Sequence, residues 1–90
     1  MDVAATLRSR LAPLEPTRLE LSDDSESHRG HPGAASGAGH FSLVIVSQQF
    51  VGQSRLERQR AVMQRVADLM PHPLHALAVK AYAPEEFIPS

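Results

Sequence analysis

Hydrophobic positions along this chain change period several times, and each change marks an element. Val3, Leu7, Leu11 and Leu14 recur at spacings of four, four and three. That spacing lays them along one stripe of a helix over residues 2–12. Asp2 stands where a cap belongs, and Pro13 and Pro16 close the segment. In TRLELSDD, residues 17–24, Leu19 and Leu21 alternate with Arg18, Glu20 and Ser22. A period of two predicts a half-buried strand. HFSLVIVS, residues 40–47, predicts a second strand, with Phe41, Leu43 and Ile45 on one face and Ser42, Val44 and Val46 on the other. QQFVGQS, residues 48–54, turns the chain. SRLERQRAVMQRVADLM then has helical spacing, with Leu56, Val62, Met63, Val66, Leu69 and Met70 on one face. Ser54 and Glu57 match a capping box, and Pro71 and Pro73 bound the far end. LHALAVKAYA, residues 74–83, predicts a third strand with His75, Leu77, Val79 and Ala81 on one face. Pro84 opens a last short turn.

The predicted order is αββαβ with a terminal helical turn, an α+β fold. Two helices on one face of a three-stranded mixed sheet is the simplest packing. The first two strands form an antiparallel hairpin. The strand–helix–strand unit from residue 40 to residue 83 makes the second and third strands parallel. Parallel neighbours begin at the same edge. His40, which opens the second strand, and His75, at the start of the third, should therefore converge there with the segment that enters the second strand.

That segment, residues 25–39, has few apolar side chains and four glycines, Gly30, Gly33, Gly37 and Gly39. It is expected to be a flexible loop within a single domain over residues 1–90. It also carries His28 and His31.

Composition narrows the chemistry. Ninety residues with a formal charge of −1 give no global attraction to nucleic acid or an anionic membrane. The absence of cysteine excludes a disulfide framework, a thiol nucleophile and any thiolate metal site built from this chain alone. No apolar run approaches bilayer length, and MDVAATLRSRL lacks the apolar core of a signal peptide. A soluble cytoplasmic domain with no membrane partner is the expectation. No phosphate-binding glycine loop or nucleophile elbow is present, because GAASGAG leads into a strand.

Five histidines remain. Imidazole ligates zinc, copper, iron and nickel, but two ligands cannot complete a tetrahedral site. A metal here would be shared with a partner, a cofactor or water. For His31 and His28, spacing alone favours a solvated loop histidine over a ligand. A structural hydrogen bond suits His40, and His72 between two prolines is simply exposed. His75 is balanced between a satisfied, partly buried histidine and a ligand on a rigid strand. Arg55, Arg58, Arg60 and Arg65 make the second helix locally basic. A solvated helix face is the plainer reading and a phosphate-binding patch the sharper one. Phe50 and Tyr82 are the aromatics left outside the predicted core and the termini.

Four segments in order, LELSDDS, GHFSLVIVS, QFVG with the arginine-rich helix, and HALAVKAYAPEEF, are together similar to the BolA-like proteins over about residues 3–87. The resemblance implies a fold related to class II KH domains and no enzyme activity. It also implies a heterodimer with a monothiol glutaredoxin that holds a bridging [2Fe–2S] cluster. The glutaredoxin would bring its cysteine and a glutathione thiol. On this chain the ligands implied are His75, which opens HALA, and a loop histidine. His31, nine positions before His40, is the choice and His28 the runner-up. An isolated homodimer is left open. The alternative is a KH-like transcriptional regulator that binds DNA through Phe50, Gly52, Arg55, Arg58, Arg60 and Arg65. A third reading is a module that docks on glutaredoxin without a cluster. Two departures weaken the DNA reading. Arg58-Gln59-Arg60 stands where relatives often have Arg-His-Arg, and Gln48-Gln49 where they often have Asp-Arg.

Overall fold

A computed structural model describes residues 2–24 and 39–87. Helix α1 spans Val3–Leu11 and tightens into a 3-10 turn over Ala12–Leu14. Strand β1 is Arg18–Asp23, β2 is His40–Val46 and β3 is Ala76–Tyr82. Helix α2, Arg55–Val66, lies between β2 and β3 and continues as a 3-10 turn, Ala67–Leu69. Short 3-10 turns at Gln48–Phe50 and Pro84–Glu86 complete the described chain. The expected loop over residues 25–39 lies outside the described residues except for Gly39.

Local chemistry accounts for the helix ends. The Asp2 carboxylate accepts from the Ala5 N–H at 3.2 Å. At α2, the Ser54 hydroxyl accepts from the Glu57 N–H while the Glu57 carboxylate accepts from the Ser54 N–H. This reciprocal pair satisfies two donors that a helix start leaves open. Arg10 then ties the helices together: its guanidinium forms a two-pronged ion pair with Asp68 and donates to the Arg65 carbonyl.

The sheet order is β1-β2-β3, with β2 antiparallel to β1 and parallel to β3. The register places Leu21 opposite Leu43 and Leu43 opposite Val79, and Leu19, Ile45 and Ala81 form the next row. These rows meet Leu7, Leu11, Val62, Val66 and Leu69 in one core. Glu20, Ser22, Ser42, Val44, Ala78 and Lys80 belong to the other face, where alternation leaves mostly polar and small residues around Val44. Its far end is covered: the Phe87 ring lies 5.6 Å from the Tyr82 ring and 5.1 Å from the Arg18 guanidinium. Arg18, Val46 and Tyr82 are in register, so this cluster accounts for the burial of Val46 on the face away from the helices.

Three expectations need correction. Leu56 is not on the buried face of α2; it is 57% exposed, because six residues before Val62 it lies about 120° round the helix from that buried position. Phe50 is not outside the core but 1% exposed within it, because the 3-10 turn after Ser47 folds its ring inward. Strand β3 begins at Ala76 rather than residue 74, so Leu74 is a buried residue of the approach and His75 sits just before the strand.

Candidate functional site

The histidines meet at the edge where the two parallel strands begin. His40 is paired with Ala76 across the ladder. The Gly39 carbonyl accepts from both the His75 N–H, at 3.0 Å, and the Ala76 N–H, at 3.2 Å. These bonds anchor the backbone of His75 while its side chain remains exposed. The two imidazole rings lie 5.1 Å apart, centroid to centroid, and are tilted by 49°. His40 is half-buried.

This close approach depends on Gly39. Its φ is +25°, and a Cβ there would fall on the Pro73 carbonyl oxygen and within 3.2 Å of the Leu74 Cα. Gly39 therefore lets the entry to β2 and the approach to β3 lie side by side. The other end of the intervening segment is at the same edge. The Asp24 N–H donates to the His40 carbonyl, and the Asp24 carboxylate accepts from the Ser42 hydroxyl at 2.7 Å and the Ser22 hydroxyl at 3.1 Å. Residues 25–38 thus leave and re-enter the described fold beside the two rings. His28 and His31 lie outside the described residues.

Among the described residues, no three histidine or carboxylate side chains are grouped to hold a metal ion. The edge offers an exposed imidazole with a second one beside it. That set fits a metal centre shared between proteins and does not fit a closed structural site.

The second set of candidates separates. Gly52 is exposed with φ +81°, and Arg55, Arg60 and Arg65 are exposed. Phe50 is buried and presents no ring for stacking. Arg58 is committed internally. It donates to the Gln53 carbonyl at 3.0 Å and the Ala81 carbonyl at 3.2 Å, and forms a two-pronged ion pair with Glu86. The bond to Glu86 raises the Arg58 pKa above its ordinary value. The same bond and the Ala83 N–H hold the Glu86 carboxyl below its ordinary value.

Sequence reasoning placed His40 and His75 at one edge but assigned no role to their contact, and counted Gly39 only as a loop glycine. A glycine immediately before a predicted strand was the available signal. Nothing in the sequence pointed to the Arg58–Glu86 pair, whose partners are 28 residues apart.

A BolA family model, described as BolA-like protein, matches residues 11–86. BolA-like protein 1 of Homo sapiens is 37% identical over 86 residues, which are 94% of this chain and 61% of that protein. The chain thus spans about three fifths of the length of this relative. A protein named DNA-binding transcriptional regulator BolA, from Escherichia coli (strain K12), is 34% identical over 84% of this chain and 70% of its own length. Among solved structures, the BolA domain of SufE1 from Arabidopsis thaliana superposes with a TM-score of 0.82 at 35% identity, covering 97% of this chain and 98% of that one. The β-rich edge with its paired histidines, the αββαβ order and these likenesses agree, and the chain belongs to the BolA-like protein family.

Proposed function

We propose that this protein is a non-enzymatic iron–sulfur adaptor of the cytoplasm that pairs with a monothiol glutaredoxin and co-ligates a bridging [2Fe–2S] cluster for iron–sulfur trafficking or iron regulation. The observation that carries this reading is the exposed His75 imidazole, anchored through its backbone on Gly39, at the edge where residues 25–38 leave and return. In this reading His75 is the fixed ligand and His31 the loop ligand, with His28 as runner-up. The thiolates come from the glutaredoxin and from glutathione, which answers the absence of cysteine here. Two imidazoles in place of two thiolates on one iron raise a cluster's potential. Only a neutral imidazole ligates a metal, so such binding is opposed by acid. The His40 ring lies 5.1 Å from that of His75.

The test mixes the protein with a monothiol glutaredoxin, glutathione, iron and sulfide without oxygen. Absorption and circular dichroism are recorded for the wild type, His31→Ala and His75→Ala. A heterodimer with a spectrum distinct from that of the glutaredoxin homodimer, lost in both variants, is expected. An unchanged glutaredoxin spectrum, or a wild-type spectrum from His75→Ala, refutes the reading.

Nucleic-acid binding is the second reading. The name of the Escherichia coli relative and the exposure of Gly52, Arg55, Arg60 and Arg65 support it, while the buried Phe50 and the committed Arg58 count against it. Binding through those arginines must weaken steeply with salt; ligation by histidine does not.

A further inference from the structure

A second concave site lies further along β3, with its lining beginning at Val79, four residues beyond His75 and so about 13 Å from it. It is a groove of about 620 Å³ between the free edge of β3 and the first turns of α2, lined by Gln53, Arg55, Arg58, Gln59, Val79, Lys80 and Glu86 among others. Strand β3 is the last strand of the sheet, so one edge of its backbone has no neighbouring strand among the described residues. Which groups face that way follows from the register. The Ala76 N–H donates to Gly39 and the Tyr82 carbonyl accepts from Ser47, both on the β2 side. Even-numbered residues therefore pair with β2, and Leu77, Val79 and Ala81 turn their N–H and C=O groups outward. The Ala81 carbonyl confirms the phase, because it accepts from Arg58 in the groove. That bond also ends the ladder there. Leu77 and Val79 remain as a short stretch of alternating donors and acceptors.

The groove has a definite charge. Arg55, Arg58 and Lys80 face one carboxylate, Glu86, which is already paired with Arg58. Gln53, at one end, holds a buried Oε1 without a hydrogen-bond partner, an acceptor for a donor that turns in toward it. Alternating backbone groups match another peptide main chain, whereas a DNA sugar-phosphate backbone offers only acceptors. A second copy of this chain is disfavoured, because symmetric pairing would set its own Lys80 and Arg55 against these. Lysine on an edge strand repels such copies and leaves the edge open to an anionic partner.

We infer that the β3–α2 groove binds an extended acidic peptide segment of another protein, which adds to the sheet alongside Leu77 and Val79 and sets its carboxylates against Arg55 and Lys80. This mode takes affinity from main-chain hydrogen bonds and selectivity from side chains. It uses neither the His75 imidazole nor the loop.

The probe is an acetylated and amidated Val-Glu-Val-Glu-Val-Glu peptide, with the Val-Lys counterpart and a thymidine oligonucleotide as comparators. Binding is read by amide chemical shifts and by hydrogen exchange. The acidic peptide is expected to slow exchange at the Leu77 and Val79 amides at least tenfold. The double variant Arg55→Glu with Lys80→Glu, both exposed positions, is expected to weaken binding at least tenfold while the far-UV spectrum stays unchanged. Val79→Pro removes one outward donor and is expected to abolish binding; the double charge variant carries the test if this one does not fold. No binding at millimolar acidic peptide overturns the inference. So does equal binding of the lysine peptide, protection away from β3, displacement of the peptide by the oligonucleotide, or dimerisation of the chain through this edge.

Discussion

Replacing Gly39 with alanine tests the joint that brings the two histidines together. Two effects add. A left-handed φ costs a residue with a Cβ about 1–2 kcal/mol. The new methyl also meets the Pro73 carbonyl oxygen and the Leu74 Cα, which are backbone atoms and cannot rotate away. Forcing an extra methyl group into a packed site costs about 1–3 kcal/mol. The sum is about 2–5 kcal/mol, a large part of the ~5–13 kcal/mol expected for a chain of this length. With a urea slope of about 1–1.5 kcal/mol/M for a small domain, Gly39→Ala should lower the unfolding midpoint by about 3 M. Gly52→Ala supplies the comparison. Its φ is +81°, but a Cβ there meets nothing within 4 Å, so only the conformational cost of about 1–2 kcal/mol applies. The difference between the two variants isolates the overlap with Pro73. Because the Gly39 carbonyl holds the His75 and Ala76 amides, Gly39→Ala should also shift the His40 and His75 ring resonances, and Gly52→Ala should not. Equal midpoints for the two variants, or unchanged histidine resonances in Gly39→Ala, would refute the reasoning.

Other consequences are measurable on the same protein. Ser47 is fully buried, with its hydroxyl donating to the Leu14 carbonyl and accepting from the Gln49 N–H; Ser47→Ala should cost about 1–3 kcal/mol in urea unfolding, and a change within 0.5 kcal/mol would show those groups find other partners. Leu43→Ala, in the centre of the core, should cost about 2–5 kcal/mol, whereas Leu56→Ala should stay within about 0.5 kcal/mol; a reversed order would contradict the assigned helix face. Arginine bonds hold the carboxyls of Asp68 and Glu86 below their ordinary values, and the Ser54 N–H does so for Glu57. A depressed folded pKa means that stability is fully present above the ordinary carboxylate range of about 4 and is lost as pH falls through the folded values. The unfolding midpoint from these groups should therefore be flat between about pH 6 and pH 8 and fall below about pH 4, and Arg10→Met should flatten the acid limb; an unchanged limb would show that the Asp68 pair contributes nothing to it.

The elements of this fold were legible in the sequence because their signals are local. The alternation of Phe41, Leu43 and Ile45 and the reciprocal cap of Ser54 and Glu57 involve residues a few positions apart, and short-range geometry decides them. The parallel pairing of β2 and β3 was also legible, because a long helical crossover constrains how two strands can lie. That was enough to bring His40 and His75 to one edge. What only the tertiary structure decided are the features set by residues distant in sequence. The fate of Phe50 depends on which way a turn folds over the core, and that of Arg58 on a carboxylate 28 positions later. Both were candidates for an exposed nucleic-acid surface on residue type alone. Residue type states what a side chain can do; packing against Ala81 and Glu86 determined that the guanidinium of Arg58 is already occupied. Gly39 shows the same division. The sequence by itself determined that a glycine precedes β2, but only the approach of Pro73 and Leu74 from across the sheet made the missing Cβ a requirement, because steric exclusion is a property of atoms that meet and not of the order in which they are joined.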